Sequence, residues 1–320
     1  SFTLGSEVLG IEHGWQGLVE GSVVELGRRE VSGILPRGGT ILGTTRTNPY
    51  RLEGGVESVL RNFAEQRLDA LVVVGGEDTL GVALSLWDEH GLPVVGVPKT
   101  IDNDLSATDY TFGFDTAVAV CTEAIDRLHT TAESHNRVMV VEVMGRYTGW
   151  IAVMSGIAGG ADVILIPEHP LTVEETCAEL ERRHRRKDFS IVVVSEGYRL
   201  SFESGEEREV AQEWTEDEFG HVRLGGIGAE LAREIEQRTG YETRYTVLGH
   251  VQRGGSPTAR DRILATRFGL RAADLAHDGR FGRMAALQGN EIVDVPLAAA
   301  VTERKVVPAD WYDVARAFFG

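Results

Sequence analysis

The chain has 320 residues, of which 42% are apolar, 38 are glycine and 9 are proline. This length accommodates about two domains of roughly 150 residues, and the composition is typical of a folded α/β protein and not of a disordered chain. The net charge of −17 excludes a broad basic surface, so we expect no nucleic-acid partner. No apolar run reaches 18 residues and no secretion signal is visible, so we expect no membrane partner either.

Short apolar runs alternate with amphipathic stretches along the chain, which is typical of a parallel α/β sheet. The first two buried strands are predicted at residues 70–74 and 94–97. A helix is then predicted over residues 115–131, because four apolar side chains recur there at helical spacing on one face: Ala117, Cys121, Ala124 and Leu128.

The second half of the pattern continues with strands predicted at residues 138–143, 163–166 and 191–194. Thr172 and Glu175 have the spacing of a capping box and predict the start of a helix. The basic run at residues 182–187 is predicted to be the solvated C-terminal end of this helix, because cations interact favourably with the helix dipole there. The alternative is that the run forms an anion site. Because Cys121 and Cys177 fall on separate predicted helices, we expect reduced thiols and a cytoplasmic location.

Two glycines, Gly75 and Gly76, lie between the first predicted strand and a helix. Backbone N–H groups at such a turn can approach a phosphate, and the helix N-terminus adds positive potential. Glu77 and Asp78 come next, and acids suit a phosphate site only if they bind a metal ion or set specificity. The alternative is a plain tight turn in which Asp78 caps a helix that starts at Thr79.

The next strand ends in residues 98–104, and the carboxyl ends of successive parallel strands converge on one site. Asp102 and Asp104 can bind a cation or accept a proton, while Lys99 can bind a phosphate and Thr100 can donate a hydrogen bond. An Asx-rich turn, in which these side chains satisfy local backbone groups, is the alternative.

Further strand ends carry arginine and histidine, which suit phosphate binding, although a surface salt bridge explains any single one. Five segments then occur in the order found in 6-phosphofructokinases, which the chain resembles from about Gly10 to its C-terminus. These segments are residues 38–46, 75–78, 98–104, 142–146 and 249–257. The resemblance implies a phosphofructokinase fold of two similar Rossmann-like α/β domains. The larger, phosphoryl-donor domain would comprise residues 1–113 and 251–302, and the smaller, fructose 6-phosphate domain residues 114–250 and 303–320.

The resemblance also implies residue roles. Asp102 would be the base that accepts the proton of the sugar 1-hydroxyl, with Lys99, Asp78 and Arg46 as further catalytic residues and Glu77 as a Mg²⁺-associated carboxylate. The donor would contact Gly75, Gly76 and Thr79. Fructose 6-phosphate would contact Thr100, Asp104, Arg137, Met144, Gly145, Arg146, Glu196, Arg244, His250 and Arg253.

Arg137 and Arg244 would reach the site from a neighbouring subunit, which implies a homodimer or homotetramer with active sites at subunit interfaces. The family's opening glycine-rich loop has no counterpart in the sequence, which starts near a strand at residues 1–5, so a first strand and that loop are expected upstream of Ser1.

Two positions bear on the phosphoryl donor. ATP users of the family commonly carry glycine where this chain has Asp78, whereas pyrophosphate users carry aspartate there together with lysine at position 99. The resemblance therefore implies a reversible, Mg²⁺-dependent phosphoryl transfer from pyrophosphate to fructose 6-phosphate, in glycolysis or gluconeogenesis. An ATP-dependent 6-phosphofructokinase and a non-catalytic sugar-phosphate-binding paralogue are the alternatives. Lipid and NAD kinases share a Gly-Gly-acid turn but lack the segments at 98–104 and 249–257.

Overall fold

The computed structural model describes residues 5–216, 219, 220, 222–317 and 319. Residues 1–4, where the sequence predicts the approach to a strand, lie outside the described residues. The strands are β1 (Leu9–Ile11), β2 (Val23–Glu25), β3 (Leu71–Gly75), β4 (Val94–Thr100), β5 (Phe112–Gly113), β6 (Val138–Val143), β7 (Val163–Leu165), β8 (Ser190–Ser195), β9 (Leu200–Ser201), β10 (Glu207–Arg208), β11 (Ala211–Glu216), β12 (Val222–Leu224), β13 (Thr243–Val247), β14 (Arg283–Gln288) and β15 (Glu291–Pro296). The α-helices are α1 (Trp15–Glu20), α2 (Gly55–Glu65), α3 (Glu77–His90), α4 (Phe114–His135), α5 (Trp150–Ala158), α6 (Val173–His184), α7 (Ile227–Thr239), α8 (Ala259–His277), α9 (Leu297–Val301) and α10 (Ala309–Arg316), and short 3-10 turns lie at Pro49–Arg51 and Gly249–Arg253.

Two larger sheets organise the described residues. The first has the order β15-β14-β4-β3 with β5 beside β4, and it is parallel except for the β14–β15 pair. The second has the order β13-β6-β8-β7 and is parallel throughout. This arrangement confirms the predicted α/β class.

Helices pack on both faces of each sheet, although Val72 and Val74 on one face of β3 stay exposed. In the second sheet, α4, α5 and α10 pack on one face and α6 and α7 on the other. Every residue of β6 and β8 is therefore buried, which explains their near-continuous apolar runs. In the first sheet, α1, α2, α3 and α9 pack on one face and α8 on the other.

The strands of the two sheets fall on opposite sides of the predicted domain boundaries. The first sheet uses strands between Leu71 and Gly113 and between Arg283 and Pro296, and the second uses strands between Val138 and Val247. The C-terminal helix α10 returns to the second sheet, where Tyr312 and Ala315 join the core. The division into two domains agrees with this arrangement and stays a prediction.

The predicted strands and helices are found with small shifts of their bounds. The capping box at Thr172 and Glu175 is confirmed, since each residue bonds the backbone N–H of the other. Helix α6 ends in basic residues as predicted, but Arg183 is not solvated, because its guanidinium bonds the largely buried carboxylate of Asp162 at 2.6 Å. The two cysteines are unpaired and buried. Among the described helices, none combines the length and the apolar character needed to cross a membrane.

Candidate active site

The glycine turn after β3 lies beside the end of β4, with Gly75 in register with Pro98. A Cβ atom on Gly75 would lie 2.4 Å from the Cβ of Thr79, so only glycine fits there. Helix α3 begins at Glu77, earlier than expected, with Gly76 as its N-cap and no side-chain capping bond. The alternative that Asp78 caps the helix is therefore wrong.

Two arginines hold the two acids of this first turn. The guanidinium of Arg146 lies 3.3 Å from a carboxylate oxygen of Asp78, and that of Arg304 lies 3.3 Å from one of Glu77. Acids in the first turn of a helix also interact favourably with its dipole. Because Arg146 and Arg304 offset the negative charges of Asp78 and Glu77, the turn can accept an anionic ligand.

Asp102 follows β4 directly and is half-buried. Its backbone N–H donates to the hydroxyl of Thr100 at 3.1 Å, which fixes the turn. Burial raises the pKa of Asp102 above its ordinary value, although the charges of Arg253, Arg146 and Lys99 oppose this shift. A carboxylate of raised pKa among phosphate-binding cations is suited to accept a proton.

Lys99 belongs to the same cluster. Although the residue is exposed overall, desolvation within the cleft and the charge of Arg253 lower the pKa of Lys99, while Asp102 opposes this shift. These couplings place the 249–253 turn beside the end of β4. Lys99 and Arg253, which are 154 positions apart in sequence, are therefore close enough in space for their charges to interact.

Asp104 is buried, and its pKa is raised to about 7 by burial and by the negative charges of Asp102 and Glu77. One of its carboxylate oxygens is buried without a hydrogen-bond partner. Within the described part of the chain, no three His, Cys, Asp or Glu side chains form a group that would hold a metal ion. Mg²⁺ is commonly bound by one or two carboxylates together with substrate phosphates. Asp104 and Glu77 are therefore ligands of the type that this ion uses.

Four of the residues predicted to contact the sugar, Met144, Gly145, Arg146 and Glu196, lie at the carboxyl ends of β6 and β8. Gly145 has φ +145°, and a Cβ atom there would lie 2.5 Å from the carbonyl oxygen of Thr148. Glu196 accepts hydrogen bonds from the backbone N–H groups of Gly145 at 3.4 Å and Arg146 at 3.0 Å, and burial raises its pKa to about 7. Together with His250, Met144 and Glu196 line a cavity of about 90 Å³.

Gln252 lies behind this cavity and is a structural residue that the sequence analysis missed. It is buried, its amide oxygen accepts from the N–H of Met144 at 3.1 Å and the thiol of Cys121 at 3.0 Å, and its amide nitrogen donates to the carbonyl of Gly249 at 3.1 Å. It therefore ties the loop after β6 to the 249–253 turn. The signal in the sequence was an amide within the predicted binding segment.

Glu142 was also not given a role of its own, although it is an acid inside an apolar strand. It is buried, and its carboxylate accepts from the backbone N–H groups of Gly226 at 3.0 Å and Gly228 at 2.8 Å. It therefore holds the start of α7 against β6 at the floor of the cavity.

The segment that carries Arg46 lies against the 249–257 region. A Cβ atom on Gly38 would lie 2.2 Å from the carbonyl oxygen of Gly255, so the two backbones approach closely. Arg46 itself is exposed. Its role toward the transferred phosphoryl group stays a prediction.

Arg137 and Arg244 lie at the amino ends of β6 and β13, whereas the cavity lies at the carboxyl ends of these strands. Arg137 precedes β6, Arg244 is in register with Met139, and both guanidinium groups lie 2.6 Å from Glu242. Strands rise about 3.3 Å per residue, so about 16 Å separate Arg137 from Glu142 and about 10 Å separate Arg244 from Val247, where Glu142 and Val247 line the cavity. The structure therefore does not bring them to the site of their own chain.

Comparison with known proteins agrees with this geometry. The model of the family described as "Phosphofructokinase" matches residues 1–276. The chain is 58% identical over 316 residues to the "Pyrophosphate--fructose 6-phosphate 1-phosphotransferase" of Amycolatopsis mediterranei, which covers 99% of this chain and 91% of the relative. It is 50% identical over 318 residues to the "ATP-dependent 6-phosphofructokinase" of Mycobacterium tuberculosis, with the same coverage of both chains.

Among solved structures, the phosphofructokinase of Pichia pastoris in the T-state matches with a TM-score of 0.79 and 32% identity. That match covers 99% of this chain, which spans 33% of the length of the Pichia chain. The chain therefore belongs to the phosphofructokinase family, and the predicted family and fold are confirmed.

Proposed function

We propose that the chain transfers a phosphoryl group from pyrophosphate to the 1-hydroxyl of fructose 6-phosphate, giving fructose 1,6-bisphosphate and phosphate. The observation that carries this proposal is the half-buried Asp102 carboxylate within the cation cluster of Lys99, Arg146 and Arg253. The relative at 58% identity bears the name of this reaction, in agreement with the predicted activity. The reaction is a reversible step of glycolysis.

Asp102 accepts the proton of the sugar 1-hydroxyl as the oxygen attacks the terminal phosphorus of pyrophosphate. The new P–O bond forms while the bond to the bridging oxygen breaks, and inorganic phosphate leaves. Lys99 neutralises the leaving phosphate. Arg253 binds the 6-phosphate of the sugar, and Arg146 belongs to the loop that lines the sugar site. Since little covalent chemistry falls to the protein, alignment and charge neutralisation carry the catalysis.

Magnesium is the cofactor that the donor implies, because family members act on phosphates complexed to this ion. Glu77 and Asp104 are the carboxylates that would hold it, since they are close enough for their charges to interact and one oxygen of Asp104 is buried without a partner. The ion would supply charge neutralisation on the donor.

Pyrophosphate is proposed as the donor because of Asp78. Its carboxylate lies in the first turn of α3, beyond the glycine turn that faces the end of β4. A nucleotide has to place its α-phosphate near this charge, whereas pyrophosphate ends before it. The M. tuberculosis relative carries a name that specifies ATP, so ATP is the donor against which pyrophosphate is tested.

The test is a donor comparison on the purified protein with fructose 6-phosphate and Mg²⁺, with pyrophosphate or ATP supplied in parallel. The proposal requires a kcat/KM for pyrophosphate at least tenfold above that for ATP. A preference for ATP would replace pyrophosphate by the alternative donor, and activity with neither would support a sugar-phosphate-binding paralogue.

We further propose a cytoplasmic homo-oligomer with active sites at subunit interfaces. Arg137 and Arg244 lie beside Tyr245 and Val247 of the edge strand β13, and these two apolar side chains are exposed. Apolar and arginine side chains together are typical of a protein interface. Mixing inactive Arg137→Ala and Asp102→Asn chains should restore activity by forming sites with intact copies of both residues. No recovery after verified subunit exchange would mean that each site is built within one chain.

A further inference from the structure

Arg304 lies in the segment between α9 and α10, where the chain crosses from the first sheet to the second. This segment runs along the acidic loop after β4, since Arg304 pairs with Leu105 in an antiparallel bridge and the N–H of Lys305 donates to the carbonyl of Asp104 at 2.9 Å. Ser106 adds a hydrogen bond from its hydroxyl to the carbonyl of Glu303 at 2.8 Å. The backbone at Arg304 is therefore fixed beside the site.

The side chain of Arg304 has two partners there. Its guanidinium donates to a carboxylate oxygen of Glu77 at 3.3 Å and lies 4.8 Å from the ring centroid of Tyr147. Tyr147 follows Arg146, which pairs with the neighbouring acid Asp78. Both acids at the start of α3 are thus paired with arginines at the loop after β6. Arg146 belongs to this loop, and Arg304 stacks on its residue Tyr147.

Arg304 also contributes a positive charge to this cluster. The acids coupled in it include Glu77, Asp78, Asp102, Asp104 and Glu196, and the bases include Lys99, Arg146, Arg253, Arg304 and Lys305. Removing one base makes the site more negative where a pyrophosphate anion has to bind. At an effective dielectric near 20, one unit charge at about 10–12 Å changes the affinity for an anion about tenfold.

We infer that Arg304 is a positioning residue for the phosphoryl donor, which fixes the Glu77 carboxylate and contributes a positive charge to the donor site. This inference rests on the proposed function. The alternative is that the Arg304–Glu77 contact is an ordinary surface ion pair. Such a pair typically contributes about 0–1 kcal/mol to folding and has no effect on ligand binding.

The experiment measures binding of imidodiphosphate, a donor analogue, in the presence of Mg²⁺ and without sugar by isothermal titration calorimetry. Arg304→Gln should raise its Kd about tenfold, and Arg304→Lys should restore most of the affinity because it keeps the charge. Binding of fructose 6-phosphate should stay within about twofold of the unaltered protein, which also shows that the variant is folded. The matched control is Arg127→Gln, because Arg127 is an exposed arginine that pairs with a glutamate, Glu123, away from the site.

A double-mutant cycle with Glu77→Gln tests the contact itself. If Arg304 also acts through Glu77, the loss caused by Arg304→Gln should be smaller in the Glu77→Gln background, where only the long-range effect of its charge remains. Equal donor binding in Arg304→Gln and the unaltered chain, equal losses for sugar and donor, or fully additive effects would each overturn the inference. If the unaltered chain itself fails to bind imidodiphosphate, the proposed donor falls and the inference falls with it.

Discussion

Replacing Asp78 by glycine should admit ATP to the donor site. Two unit charges of like sign about 4 Å apart repel by roughly 4 kcal/mol at an effective dielectric near 20. The structure reduces this penalty, because Arg146 lies 3.3 Å from the Asp78 carboxylate. A phosphate on the far side of the carboxylate would be about 7 Å from the guanidinium and gain back roughly 2 kcal/mol. The net penalty of roughly 2 kcal/mol corresponds to about 25-fold in ATP affinity.

The assay is inhibition of the pyrophosphate reaction by ATP, together with direct ATP-driven turnover. Asp78→Gly removes the full repulsion of roughly 4 kcal/mol and leaves Arg146 in place, so it should lower the Ki of ATP by up to about 10³-fold. Asp78→Asn, which removes the charge but keeps the shape, separates the electrostatic part from the steric part. Since Asp78 also holds Arg146, both variants should raise the KM for fructose 6-phosphate. An unchanged ratio of ATP to pyrophosphate preference in both variants would refute the reasoning.

The other predictions concern the base, the buried acid and the glycine turns. Asp102→Asn should lower kcat by about 10²–10⁴-fold with little change in the sugar KM, as measured by steady-state kinetics, and a variant that keeps more than a tenth of kcat would exclude this role. The pKa of Asp104 is raised from 3.8 to about 7, so the stability it contributes is present at low pH and is lost as the pH rises through about 7. Asp104→Asn should therefore reduce the fall in Tm between about pH 5 and pH 8, and an identical pH profile of Tm would contradict this. Gly197→Ala should abolish sugar binding, because its Cβ would lie 1.8 Å from the carbonyl oxygen of Arg146, whereas the control Gly81→Ala meets no atom within 4 Å and should stabilise α3 by up to about 1 kcal/mol in thermal unfolding.

Local patterns in the sequence were sufficient for the sheet strands, the capping box and the long helix α4. Buried parallel strands need continuous apolar runs, and Thr172 with Glu175 satisfies helix N–H groups by contacts three residues apart. The same apolar runs placed Gly75, Asp102 and Glu196 at strand ends, because each of these residues follows a predicted buried strand.

The tertiary structure decided the electrostatic partners, since these come from segments that are far apart in sequence. The Asp78–Arg146 and Glu77–Arg304 pairs join residues separated by 68 and 227 positions, and no local pattern indicates either contact. For the same reason Gln252 could be recognised as a link between two loops only when Met144 and Gly249 were seen beside it. The sequence by itself determined which strand ends carry the chemistry, because strand ends depend on local apolar runs and turns. Which cation balances which acid was decided by the packing of the two sheets, because ion pairing depends on distance in space.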